Sequence, residues 1–139
     1  MQSNLFSLFD SSAPDWRENL EARIRVVSKR KGGLAAEPDE MIIDVDRTNP
    51  VLGNPYVLRD QHDLQERLRV IAAYESDLDK DLSENGPKTL AISAIADRLR
   101  AGEKIALRCW CAQPPGRPQR PCHGDRIRRE VIRLAANEA

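Results

Sequence analysis

All three cysteines of this chain lie between positions 109 and 122, in the order Cys109-Trp110-Cys111, a ten-residue loop, then Cys122-His123-Gly124-Asp125. Any fold must therefore bring the end of the first segment beside the start of the second. A disulfide framework spreads its cysteines along a chain, whereas a metal or reactive-thiol site gathers them. Residues 104–109 (Lys-Ile-Ala-Leu-Arg-Cys) read as an apolar strand. From about His123, residues Ile127, Val131 and Leu134 fall on one helical face. The cluster sits where a strand ends and a helix begins. Side chains alternate along a strand, so Cys109 and Cys111 share a face and Trp110 takes the other.

Three readings of the cluster stand side by side. In the first, Cys109, Cys111, Cys122 and His123 are the soft donor set of a tetrahedral zinc site, or three of them hold a metal with one position open. In the second no metal is needed. Free N–H groups at the helix start lower the pKa of the Cys122 thiol, with His123 and Asp125 as acid or base, so these three become catalytic candidates. In the third, the cysteines pack the strand and Asp125 caps the helix.

The remainder of the chain bounds the fold. Its 139 residues are 40% hydrophobic and 32% charged with zero formal net charge, which suits one globular domain. No apolar run approaches the roughly 18 residues of a membrane span, and the N-terminus lacks a signal-peptide pattern, so a cytoplasmic location is expected. Residues 22–29 alternate charged and apolar side chains and residues 41–46 are rich in β-branched types, as strands require. Helical spacing follows at Leu64, Leu68, Ile71, Leu78 and Leu82, and again at Ile92, Ile95 and Leu99, with Gly86-Pro87 between them. Strands alternating with helices predict a small α/β sandwich of two or three layers, with at least three strands and about three helices. It spans 21–139, and residues 1–20 are set apart as an arm.

Charge is unevenly placed. Residues 57–86 are acidic, whereas Arg108, Arg117, Arg120, Arg126, Arg128 and Arg129 surround the cysteine cluster in sequence. A basic rim around a site points to phosphate or nucleic acid, and a solvated helix face is the alternative. The loop 47–58 leaves the second strand, where open α/β sheets bind ligands. Arg47 and Arg108 are candidate clamps for an anion, Gly53 permits close backbone approach, and Asn54 can read an amide or base edge. A rigid turn set by Pro50 and Pro55, with Arg47 paired to Asp44 or Asp46, is the competing expectation. His62 reads as a surface residue.

Two separated motifs occur in order: Arg47, Pro50 and Leu52-Gly53-Asn54-Pro55-Tyr56, then Cys109-Trp110-Cys111 and Cys122-His123-Gly124-Asp125. Together they resemble a domain family of bacteria and their phages with no assigned activity, over about residues 22–136, with Tyr74 in the intervening helix. The resemblance implies a site at these residues and no reaction; the loop at Arg47 and Asn54 is expected to form the far wall of the same pocket. Separately, Gln2-Ser3-Asn4-Leu5-Phe6 resembles the peptide by which bacterial replication proteins bind the sliding clamp, with Leu5 and Phe6 as apolar anchors and Gln2 at the pocket edge. The functional expectation is a nucleotide- or nucleic-acid-associated protein, possible as an enzyme. The alternatives are a non-catalytic, zinc-stabilised adaptor for DNA or protein, and a phage inhibitor of a host replication protein.

Overall fold

The computed structural model describes residues 16–137, in the order α1 (Trp16–Ala22), β1 (Ile24–Ser28), β2 (Glu40–Asp44), α2 (Leu64–Glu84), α3 (Pro87–Arg100), β3 (Lys104–Cys109) and α4 (His123–Asn137). The α/β class is as expected, with four helices among the described residues and a three-stranded sheet. Both outer strands run parallel to the central one, in the order β1-β3-β2. Of the 1–20 arm, the part described is helical, and Leu20 is buried in the core.

Register decides which side chains meet. Ile24, Val26 and Ser28 lie beside Ile105, Leu107 and Cys109, and Met41 and Ile43 lie beside Ile105 and Leu107. This face meets the helices and carries Ile24, Ile105, Leu107 and Cys109 into the core. On the opposite face, Arg25 reaches across to Glu40 and also donates to the Ala35 carbonyl (3.2 Å), while Arg108 grips Asp44 through Nε at 2.7 Å. Parallel strands need a crossover, usually a helix. Here residues 29–39 cross without one, and Arg25 pins this segment at Ala35.

The long helix α2 starts on Asp63, whose carboxylate accepts the Glu66 N–H, and ends on Asn85 in the left-handed region. Its buried face carries Arg67, Tyr74 and Leu78; Leu64 and Leu68, expected on the apolar stripe, are 55% and 48% exposed. The inward stripe is thus shifted by about one position in the first turns, where an arginine faces inward, while Leu78 and Leu82 pack inward as the spacing predicts. From α3, Ile92, Ile95 and Leu99 enter the core as the spacing predicts, and from α4 come Ile127, Val131 and Ala135. No described helix is long and apolar enough to cross a membrane.

The α2–α3 corner is locked by Asp81. Its carboxylate accepts from the Thr89 N–H (2.7 Å), the Thr89 hydroxyl (2.7 Å) and the Lys88 N–H (3.1 Å), capping the start of α3 from the preceding helix. Pro87 then opens α3, where its missing N–H leaves nothing unsatisfied. Burial pushes the Asp81 carboxyl up, but the Thr89 and Lys88 hydrogen bonds outweigh it, and the net shift is downward. A carboxyl held below its unfolded pKa contributes stability above that pKa and loses it as pH falls. Asp81→Ala is expected to cost about 1–2 kcal/mol in urea unfolding at neutral pH. The deficit should shrink as the pH drops below about 4; a pH-independent deficit would contradict the ionic cap.

Candidate metal centre and adjoining cavity

β3 and α4 deliver the donors. Cys109 is the last residue of β3, Cys111 follows two residues later, and Cys122-His123 open α4. Cys109 Sγ lies 3.1 Å from Cys111 Sγ, and the His123 Nδ1 lies 3.9 Å and 3.8 Å from these two sulfurs. The sulfurs of Cys111 and Cys122 are in disulfide contact. All four donor atoms fall within 4.8 Å of one another. A tetrahedral zinc site has donor–donor edges of about 3.5–3.8 Å, given its bond lengths to sulfur and nitrogen. The four donors are of the types that hold a metal ion and converge as such a site requires, while the Cys109–Cys111 and Cys111–Cys122 sulfurs lie closer together than those edges.

The imidazole is already turned for the task. Nε2 of His123 lies 2.7 Å from the Val45 carbonyl, just past the end of β2. A carbonyl can only accept, so the proton is assigned to Nε2 and the Nδ1 lone pair faces the sulfurs. Burial lowers the His123 pKa against the opposing effects of Val45 and Asp46, which favours the neutral, ligating form. Burial also pushes the Cys109 thiol up to about 11, although backbone N–H groups of Cys111 and Trp110 pull the other way. Without a metal, Cys109 is a thiol at neutral pH.

Around the donors lies a shell of which the sequence marked only Tyr74. The Tyr74 ring sits 4.8 Å from the His123 ring, and its hydroxyl donates to the Leu52 carbonyl at 2.7 Å. Burial raises the Tyr74 pKa and keeps that proton in place. Arg67 is only 1% exposed and has no carboxylate partner among the described residues. Its Nη1 donates to the carbonyls of Pro121 (3.2 Å) and Cys111 (3.5 Å), and Nη2 to Gln61. Arg67 thereby ties both ends of the Pro-rich loop to α2. The available signal was a cation at helical spacing from Ile71, Tyr74 and Leu78.

A cavity of about 360 Å³ opens beside the cluster. Its lining includes Cys109, Cys111, His123 and Arg67 together with Arg47, Asn54 and Tyr56. The two motifs therefore face one space. Within the loop, Asn49 Oδ1 accepts from the N–H groups of Val51 (3.0 Å) and Leu52 (2.9 Å). Asn54 donates to the Val70 carbonyl and accepts from the Tyr56 N–H. Both ends of its amide are committed to the protein, so Asn54 shapes the wall. Arg47 donates to the Asn54 and Tyr56 carbonyls instead of pairing with Asp44 or Asp46. Those carboxylates are held by Arg108 and by Lys29.

Other candidates sit elsewhere. Arg108 is on the far face of the sheet with Asp44 and does not line the cavity. Gly53 does not line it either; a Cβ there would meet the Asn49 carbonyl oxygen at 2.7 Å and Arg47 Cα at 2.9 Å. The Asp125 carboxylate accepts the Cys122 N–H at 3.2 Å while the Asp125 N–H returns to the Cys122 carbonyl, a reciprocal helix-start cap. Cys122 is buried, and its sulfur accepts the Gly124 N–H at 3.3 Å. Of the sequence-adjacent basic rim, Arg126 and Arg129 pair with Glu75, and Arg126 also with Asp79, so α4 meets the acidic face of α2. Arg128 donates to the carbonyls of Ile24 and Glu21. Trp110 is 51% exposed at the cavity rim. Gln2, Leu5 and Phe6 lie outside the described residues.

Fold and site together define a small α/β domain with a Cys/His cluster capable of holding a metal, built beside a cavity. Residues 26–133 match a family described as a domain of unknown function (DUF4326), and the chain belongs to that family. No curated protein and no solved structure matches the chain.

Because the atoms facing Gly53 are backbone, an added methyl has no flexible side chain to displace. Gly53→Ala is expected to destabilise the domain by about 1–3 kcal/mol in urea unfolding. Unchanged stability would mean that the 47–56 loop is not held in the packed form seen here.

Proposed function

We propose that this chain is a zinc-stabilised binding domain whose ligand, a nucleotide or a nucleic-acid segment, enters the cavity beside the metal centre. The observation that carries this reading is the bond from His123 Nε2 to the Val45 carbonyl, which leaves Nδ1 facing three cysteine sulfurs. A four-donor, closed set is the pattern of structural zinc sites, whereas catalytic ones keep a position open. When bound, zinc supplies bonds that join the end of β3 to the start of α4.

The same geometry favours binding over catalysis. Cys122 and His123 are taken up as donors and Asp125 as a cap, which leaves the cavity with recognition groups instead of a nucleophile–base pair. Its rim offers exposed aromatic surface at Trp110 and Tyr56, and stacking on such surface suits a nucleobase. The cavity volume falls within the ordinary range for small-molecule sites, roughly 300–1,000 Å³.

A second reading has its own observation in the disulfide contact between Cys111 and Cys122. A disulfide there uses two donors and leaves Cys109 and His123, too few for a structural zinc site. Elemental analysis of protein purified under reducing conditions separates the two. The zinc reading expects about one zinc per chain, its loss in Cys109→Ser and His123→Ala, and a large fall in thermal stability on chelation. Metal-free protein that is folded and insensitive to chelator would overturn it. One titratable thiol, instead of three, in the denatured chain of protein purified without reductant would then assign the disulfide.

A further inference from the structure

We propose that the cavity is selective for a nucleoside phosphate, with Arg30 and Arg47 engaging the phosphate; the inference rests on reading this cavity as a nucleotide site. Its basis is a local charge imbalance in a chain of zero formal net charge. Three arginines, Arg30, Arg47 and Arg67, line the cavity against a single carboxylate, Asp46. That carboxylate is already bound by Lys29 at 2.9 Å and by the Thr48 N–H at 3.2 Å.

Elsewhere in the domain arginines find carboxylates. Arg25 pairs with Glu40, Arg108 with Asp44, and Arg126 with Asp79 and Glu130. Among the described residues, none of the three cavity arginines has such a pair; each bonds only carbonyl oxygens. Arg30 donates through Nε to the Trp110 carbonyl (2.8 Å) and through Nη2 to Gln61 Oε1 (3.2 Å). Arg47 donates through Nε to the Asn54 carbonyl (3.2 Å) and through Nη2 to the Tyr56 carbonyl (3.3 Å). In both, the guanidinium is fixed along one edge while Nη1 makes no protein hydrogen bond among those described. A planar fork held in place by neutral acceptors keeps its full charge for an incoming anion, and phosphate suits that fork.

Arg67 plays a different part. It is fully buried, its Nε has no hydrogen-bond partner, and it stands close enough to Arg30 and Arg120 to be repelled by both. Three thiolates, a neutral imidazole and Zn²⁺ sum to one negative charge, which Arg67 offsets at the metal centre. Arg30 and Arg47 then remain uncompensated. The exposed Trp110 and Tyr56 share the rim with them, so an anion-binding edge and a stacking surface face one opening. A nucleoside phosphate carries both complementary groups. A free nucleotide and a strand end with a 5′-phosphate share this chemistry.

The test uses the full chain loaded with zinc, titrated calorimetrically with nucleoside 5′-phosphates, the matching nucleosides and a 5′-phosphorylated oligonucleotide. Binding of a nucleoside phosphate at least about tenfold tighter than its nucleoside is expected, weakening with added salt. Arg30→Gln and Arg47→Gln should each lower affinity on the order of tenfold with zinc content unchanged. Because Arg47 also braces its loop, Arg47→Lys is the companion variant: it keeps charge, loses the fork and should bind with intermediate strength. Binding by the phosphorylated oligonucleotide alone supports the inference with a strand end as the source. Equal affinity for nucleoside and nucleoside phosphate overturns it while leaving a nucleobase site standing. Absence of binding by all three to zinc-loaded, folded protein overturns both the inference and the nucleotide reading of the cavity.

Discussion

One hydrogen bond, from the buried His123 ring to the Val45 carbonyl, sets the geometry on which the site depends. It joins the end of β2 to the first residue of α4, two elements that are 78 residues apart at these positions. It also fixes which ring nitrogen carries the proton, and so which one faces the cysteines. Tyr74 packs against the same ring and carries the restraint to the 47–56 loop through Leu52. A single imidazole thus ties the sheet, α2 and the loop to the donor cluster. Such outer-shell bonds orient ligands and raise their basicity, which is why a metal site extends beyond its donors.

Arg67 is the second organising element, and it is of an unusual kind. A buried guanidinium normally needs a carboxylate, because an unpaired charge in a low-dielectric interior is strongly unfavourable. Here carbonyl oxygens satisfy part of the demand, and the cysteine donors stand nearby. The same side chain links Cys111, Pro121 and Gln61, so mechanical and electrostatic roles coincide in one residue.

Much of the architecture was legible in the sequence because its signals were local. β3 was marked by an apolar run, α3 by its spacing and Pro87, and the convergence of the cysteines by their positions alone. The phase of α2 was legible from Ile71 to Leu82 but not in its first turns, since Leu64 and Leu68 look like core and Arg67 does not; contacts with the Pro-rich loop reversed that order. The basic rim was divided by folding for a related reason: Arg120 stays beside the cavity, bonded to Gln61. Arg126 and Arg129 are near the cysteines in sequence, but folding sets them against the acidic side of α2. Arg108 was drawn away by alternation along β3, which points it to the opposite face from Cys109. Arg30, seated at the cavity, lay outside both motifs, in a stretch from Arg23 to Lys31 that is basic in sequence but does not show which of its cations reaches the site.

The loop between Cys111 and Cys122 begins and ends on carbonyls held by one guanidinium. Its two stems are therefore clamped independently of what lies between them. The entropic penalty for closing a longer loop grows only logarithmically with its length. Between those stems Ala112 and Pro114 pack inward, whereas residues 115–119 are exposed, so a change of length is tolerated best at 115–119, where no core contact is lost. In an α/β domain this small, an exposed segment between two clamped stems is where the chain can vary without moving the end of β3 or the start of α4.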